Sequence, residues 1–434
     1  MAAPAFAYWV LAREARALLT RLDRIKPLVL LETMVPAAGI ATDAMQATEH
    51  YLAKGRRMLR ARGHAYIRWL EAGANRASPA VAHRRYALLR LELNRILTQF
   101  DLFSDALTQR SEIETGVWLA GLDAAARDAL ILADYYEAPP LLCYLDRGAG
   151  AAIRRARTRL PGGGSNPVAI IRVPRERMVG AGVAASLVHE VGHQASELLG
   201  LPSSLRPVLR VLQSGRAGAV WVWWERWISE ILADFWAVAK LGLVATLGLM
   251  GVVSLPRPFV FRVSMDDPHP IPWIRVRLSC ALGQALYPHP QWARLSALWA
   301  SFYPRDGLDP PRLRLLADLE DSIPAMAGVL VGHRPPSLRG ESLQEVVAKR
   351  ERRPERLDEL FLRWRAYPDL IVRAPPTLAL AVIGQARARG RISPEQESAT
   401  LSNLLTHWAA RSVLVPAPVL PRRPTLVLDE FRRH

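Results

Sequence analysis

The chain has 434 residues, half of them hydrophobic and 22% charged, with a formal net charge of +17. That length exceeds one typical core and predicts more than one domain, and the composition excludes a mostly disordered chain. Of 57 basic residues only four are lysines (Lys26, Lys54, Lys240, Lys349), so the charge reads first as arginine bias. The other reading is a basic surface for an acidic partner or nucleic acid, although no nucleic-acid motif accompanies it.

The first 150 residues are predicted to be helical. Leu11, Leu18, Leu19 and Leu22 follow helical spacing, as do Leu89, Leu93, Ile96 and Leu97. Pro27, Pro36, Pro79 and the pair Pro139–Pro140 punctuate this region. Ala2–Ala12 is apolar but lacks a preceding basic segment, so no secretory signal is expected. Cys143 and Cys280 form no C-x-x-C pair and read as buried free thiols, which agrees with a cytoplasmic location.

Residues 151–300 are predicted to form the core of the function. A Gly-rich linker, Pro161–Pro167, precedes Val168–Val173, a short β-branched run that reads as a strand. That strand is expected to offer its edge to an extended peptide, with Gly162–Gly164 allowing close approach. Gly180-Ala181-Gly182 opens a helix running to Leu199, with Gly200 as its stop. A second helix spans Val220–Leu241 and ends at Gly242, and its tryptophans (Trp221, Trp223, Trp224, Trp227, Trp236) read as core. The apolar run Leu241–Leu255 falls short of the roughly 20 residues that span a bilayer, so a buried or interfacial segment is expected. Residues 301–414 read as a helical C-terminal region, with helices near Ser342–Arg352, Arg356–Arg365, Thr377–Arg389 and Pro394–Ala410. Residues 415–434 form a Pro/Arg-rich tail.

Chemistry concentrates in His189-Glu190-Val191-Gly192-His193. A spacing of four places both imidazoles on one helix face, as two adjacent ligands of a tetrahedral Zn2+ require. Glu190 lies about 100° round the helix, where it can act as general base without ligating the metal. The flanking Val183, Ala184, Ala185, Leu187 and Val188 mark a buried helix. Unpaired polar groups there would cost about 2–7 kcal/mol, and a metal would remove that cost. In the second helix Glu230 and Asp234 are also four apart. Glu230 can be the third ligand, and Asp234 can accept the free ring N–H of a ligating histidine.

The second motif, Glu230-x-x-Ala233-Asp234-x-x-Ala237, resembles that of the CAAX prenyl protease and HtpX-type gluzincin metallopeptidases. A third element, His269-Pro270 with Arg275 six residues after the histidine and Val276 next, is similar to that family's as well. The resemblance covers roughly Pro161–Arg277 and lacks the family's membrane-spanning helices. It implies a zinc-dependent endopeptidase acting on a peptide or protein substrate. It also implies that His269 or Arg275 polarises the scissile carbonyl or stabilises the oxyanion. The expected fold class is mainly α (α+β), with a zincin-like catalytic core carrying a small β-sheet edge between the helical regions. The alternatives are an inactive zinc-binding scaffold or an arginine-rich nucleic-acid or partner-binding protein.

Overall fold

The computed structural model describes residues 3–27, 35–72, 78–146, 151–160, 163–174, 181–215 and 218–414. The tail at 415–434, Gly162 and Gly180 lie outside the described residues. The fold is mainly helical with one small sheet. In chain order the helices are α1 (Ala3–Asp23), α2 (Thr42–Glu71), α3 (Pro79–Thr108) and α4 (Ile113–Leu130). After the sheet come α5 (Ala181–Leu198), α6 (Leu201–Gln213), α7 (Gly218–Leu241), α8 (Leu243–Val253), the short α9 (Arg257–Val260) and α10 (Pro272–Leu286). The last are α11 (Gln291–Phe302), α12 (Pro310–Gly332), α13 (Leu343–Val347), α14 (Pro354–Ala366), α15 (Asp369–Arg373), α16 (Pro376–Ala388) and α17 (Pro394–Leu414). Several starts follow local chemistry. Ser78 caps α3 through Val81 N–H with Pro79 behind it, and Asp309 caps α12 through Arg312 N–H.

Ser342 and Glu345 form a reciprocal capping box. The helix expected over Ser342–Arg352 is nevertheless shorter, ending at Val347 before a 3₁₀ turn at Arg350–Arg352. Pro354 follows closely and starts the next helix instead.

The sheet has strands β1 (Leu141–Asp146), β2 (Ala152–Arg154) and β3 (Ala169–Pro174) in the order β1-β3-β2. β3 runs parallel to β1, with Leu141 beside Ala169, and antiparallel to β2, with Ala152 beside Arg172. This corrects one expectation: the strand at Val168–Val173 exists, but it is central, and both its edges are already paired. The strand at Leu141 lies inside the stretch expected to be helical.

Alternation along β1 and β3 divides the interior. Leu141, Cys143, Leu145, Ala169, Ile171 and Val173 join the main core, which takes residues from Leu119 to Trp408. Leu142 and Ile170, on the opposite face, join Leu52, Phe103 and Leu107 of α2 and α3 in a second cluster. The first three helices share a third cluster containing Leu11, Leu18, Leu22, Leu89 and Leu93. Gly163 accepts hydrogen bonds from Tyr51 and Gln99, and a Cβ on Gly164 would lie 2.7 Å from the Tyr51 hydroxyl. These glycines therefore serve packing against α2 and α3. Both cysteines are buried and free, and burial pushes their thiols up, Cys280 to about 12. Among the described residues no helix is long and apolar enough to cross a membrane. The run at Leu241–Leu255 becomes α8, buried along most of its length.

Candidate metal centre

Two helices meet where the sequence motifs fall. A Cβ on Gly192 would lie 2.8 Å from Ala233 Cα and 2.9 Å from both the Ala233 carbonyl oxygen and Trp236 Cβ. Only glycine at 192 and a small residue at 233 let α5 and α7 approach this closely. Trp236 ties α7 to α4 by donating its indole N–H to Ala129 O at 3.0 Å, and Tyr287 donates to Ala239 O at 2.7 Å from the end of α10. The crossing sets His189 and His193 beside Glu230.

His189 Nε2 lies 3.3 Å from Glu230 Oε2, and His193 Nε2 lies 3.4 Å from Glu230 Oε1. The ligand atoms of these three residues all lie within 4.8 Å of one another, so the group can hold a metal ion. Glu230 Oε2 is buried and accepts no hydrogen bond of good geometry. Yet it is ringed by His189 Nε2 at 3.3 Å, His269 Nε2 at 3.4 Å and Arg275 Nη2 at 3.6 Å. A buried carboxylate oxygen facing imidazole nitrogens without bonding them is what a cation ligand looks like before the cation is added. The donor set fits a divalent metal that accepts nitrogen and oxygen ligands.

Behind the ligands, His189 Nδ1 is 2.8 Å from Asp234 Oδ1. Like the Glu230 contacts it lacks good hydrogen-bond geometry, and Nε2 is the ring nitrogen that faces Glu230. Asp234 in turn accepts from Arg275 twice, Nε at 2.6 Å and Nη2 at 2.9 Å. Ser229 Oγ lies 3.4 Å from His193 Nδ1.

The charges are strongly coupled. Burial alone would lower His189, but Asp234 and Glu230 override it and hold the ring well above its ordinary value. Burial, helped by the cationic His189, holds His193 down. For Glu230 burial opposes ionisation, and the two histidines and Arg275 outweigh it. Asp234 is likewise held low against burial, by Arg275 and His189. Glu190 is different: burial pushes its carboxyl up, with Glu230 adding to the rise, although His189 pulls the other way. It lines the same cavity as His189.

All seven residues singled out from sequence converge here, but His269 and Arg275 differ in character. The His269 side chain is 48% exposed, with Nδ1 2.8 Å from Asp267 Oδ1, which leaves Nε2 toward Glu230. Arg275 is buried, and two of its nitrogens are committed to Asp234. Asp267 was not singled out by sequence. Its place two residues before His269, also receiving the His269 backbone N–H at 3.0 Å, was the available signal. A larger cleft of about 540 Å³ between α4 and α17, lined by Ala120, Arg127 and Trp408 among others, contains none of the motif residues. No protein-family model, curated protein or solved structure matches this chain.

Proposed function

We propose that the chain is a zinc-dependent endopeptidase of gluzincin type. The observation that carries this reading is the convergence of His189, His193 and Glu230, with Asp234 behind His189 and with Glu190 lining the same cavity as His189. Two imidazoles and a carboxylate form a donor set that suits zinc. Such an ion supplies Lewis acidity that acidifies water toward a pKa of about 7 and polarises a carbonyl. In this reading Glu190 takes the proton of the attacking water and delivers it to the leaving amine; its burial-raised pKa suits an exchanging base. Asp234, 2.8 Å from Nδ1, orients His189 with Nε2 toward the metal position. His269, exposed in the cavity and oriented by Asp267, is the donor to the developing oxyanion. Arg275 is a positioning residue acting through Asp234. Strand β2 replaces Val168–Val173 as the edge to which substrate backbone adds, because Ala151 beside it lines the cavity.

The arginines of α2 and α3 lend less support to nucleic-acid binding. Arg56, Arg60 and Arg62 pair with Glu49, Asp23 and Glu92, and Arg85 lies over the Trp69 ring.

The test begins with zinc content of the purified protein beside His193→Ala. One equivalent in the wild type, lost in the variant, is expected. Glu190→Gln should then retain zinc while cleavage of an unfolded protein substrate falls about 10²–10⁴-fold. A fully active Glu190→Gln protein sinks the general-base role, and a wild type that takes up no zinc at neutral pH sinks the whole reading.

A further inference from the structure

We propose that the cleft between α4 and α17 binds a fatty carboxylate, with the acyl chain along α4 and the head group held by Arg373 and Arg411. The cleft is separate from the metal centre. Its lining residues fall between Gly39 and Leu141 and between Arg373 and Ser412, outside the segment that resembles a metallopeptidase. Binding there needs no metal.

Two helix faces build the wall. Ala120, Ala124, Arg127 and Ile131 are spaced i, i+4, i+7, i+11 and form one stripe along α4 and its C-cap. Trp408, Arg411 and Ser412 are spaced i, i+3, i+4 on α17. Pro140, Leu141 and Pro375 add apolar surface. The two alanines leave the volume, about 540 Å³, which falls within the range of about 300–1,000 Å³ for small-molecule sites. From Ala120 to Ile131 the stripe runs about 16 Å at about 1.5 Å per residue. An extended acyl chain of about 12 carbons, joined by C–C bonds of about 1.5 Å, has that length.

Charge fixes the orientation. A Cβ on Gly121 would lie 2.4 Å from Leu405 O, and one turn on, Ala125 and Trp408 line one small cavity. Here α17 therefore runs in the same direction as α4, which places Arg411, a turn beyond Trp408, toward the C-terminal end of α4. Arg373 stands at that end too, because Thr377 donates its N–H and its hydroxyl to Asp128 Oδ2 at 2.8 and 2.6 Å.

The carboxylates of the cleft are already committed. Asp43 Oδ2 lies 3.2 Å from Arg127 Nη2, Asp123 is held by Arg110 and the Cys143 N–H, and Asp128 is held by Thr377. Arg373 and Arg411 are exposed and make no hydrogen bond or ion pair among the described residues. Two unspent guanidiniums at one end of an apolar cleft complement a carboxylate with an aliphatic chain behind it. A neutral lipid leaves both cations unused, and a cationic head group is repelled.

Calorimetric titration of the full chain with dodecanoate, kept below its micelle concentration, tests the site. One dodecanoate per chain is expected. Octanoate should bind about 10–100-fold more weakly, because fewer methylenes are buried. Dodecanol and dodecyltrimethylammonium should each bind about 10-fold more weakly than dodecanoate, because neither carries the anion. Arg373→Gln combined with Arg411→Gln, both at exposed positions, should weaken dodecanoate about 10-fold and leave dodecanol unchanged. Ala124→Leu, which fills the cleft, should weaken both. If Ala124→Leu fails to fold, the ligand series on the wild type and the double arginine variant decide. Equal affinity for all three dodecyl compounds, many dodecanoates per chain, or dodecanoate affinity unchanged in both variants overturns the site. Absence of dodecanoate binding overturns it as well, and wild-type dimers lost in Ala124→Leu would then assign the cleft to a second copy of this chain.

Discussion

Two buried ion pairs in this protein end differently. Arg110 and Asp123 close on the backbone of β1. Arg110 Nη2 donates to Cys143 O at 2.6 Å and lies 3.0 Å from Asp123 Oδ2, while Asp123 Oδ1 accepts from Cys143 N–H at 2.6 Å. Arg275 and Asp234 instead pass their charge outward. Asp234 reaches His189 Nδ1, and the other nitrogen of that ring faces Glu230 Oε2, which accepts no well-formed hydrogen bond. In the first cluster the buried carboxylate is satisfied by a cation and a strand, and the atoms left without a hydrogen-bond partner are the donors Arg110 Nε and Nη1. In the second the chain of partners stops at an acceptor. The first pair positions backbone, and the second orients a histidine of a group that can hold a metal ion.

Breaking the closed pair should be the larger insult to folding. Arg110→Met leaves Asp123 buried without its cation and should cost about 3–5 kcal/mol in denaturant unfolding. Zinc content of the folded fraction should be unchanged. A loss below about 1 kcal/mol would mean the two clusters are not different in kind.

Asp234→Asn should show the reverse balance. Metal affinity should weaken about 10–100-fold, because His189 loses its orienting carboxylate, while the stability loss stays below that of Arg110→Met. Competition against a chelator reads the affinity directly. Unchanged affinity would remove Asp234 from the metal site.

Lys240 sharpens the comparison as a half-buried charge with no carboxylate at bonding distance among the described residues. Its Nζ donates to Ile131 O at 3.1 Å and lies 5.2 Å from the Trp236 ring. Burial lowers it from 10.5 to about 8. The unfolded chain therefore holds this proton more tightly than the folded one. Stability rises with pH between about 8 and 10.5, and the cost of the charge is fully present below about 8. Lys240→Met should raise the melting temperature at pH 7 by about 1–3 °C, with the gain fading as pH approaches 10.5. A gain that is the same at both pH values would trace to packing instead of charge.

Much of the site was legible because its signals are local. The His189–His193 and Glu230–Asp234 spacings act within single helices, and Gly200 and Gly242 stop those helices at positive φ as their residue type predicts. β3 was visible from its β-branched run. β1 was not, because Leu141–Leu145 is a five-residue apolar run after two prolines, and such a run carries no period that separates strand from helix. The short edge strand β2 offered still less.

Residue types and spacings by themselves determined which side chains share a helix face, where α5 and α7 stop, and that nitrogen and oxygen donors suited to a metal lie on two buried helices. Only the tertiary structure decided that Gly192 meets Ala233, that β3 lies between two other strands, and that Arg275 turns to Asp234 while His269 stays exposed. It also decided that α8 walls the cavity. Helical periodicity is a property of a few consecutive residues. Which faces meet is settled by close packing between segments far apart in the chain, and no local spacing encodes it.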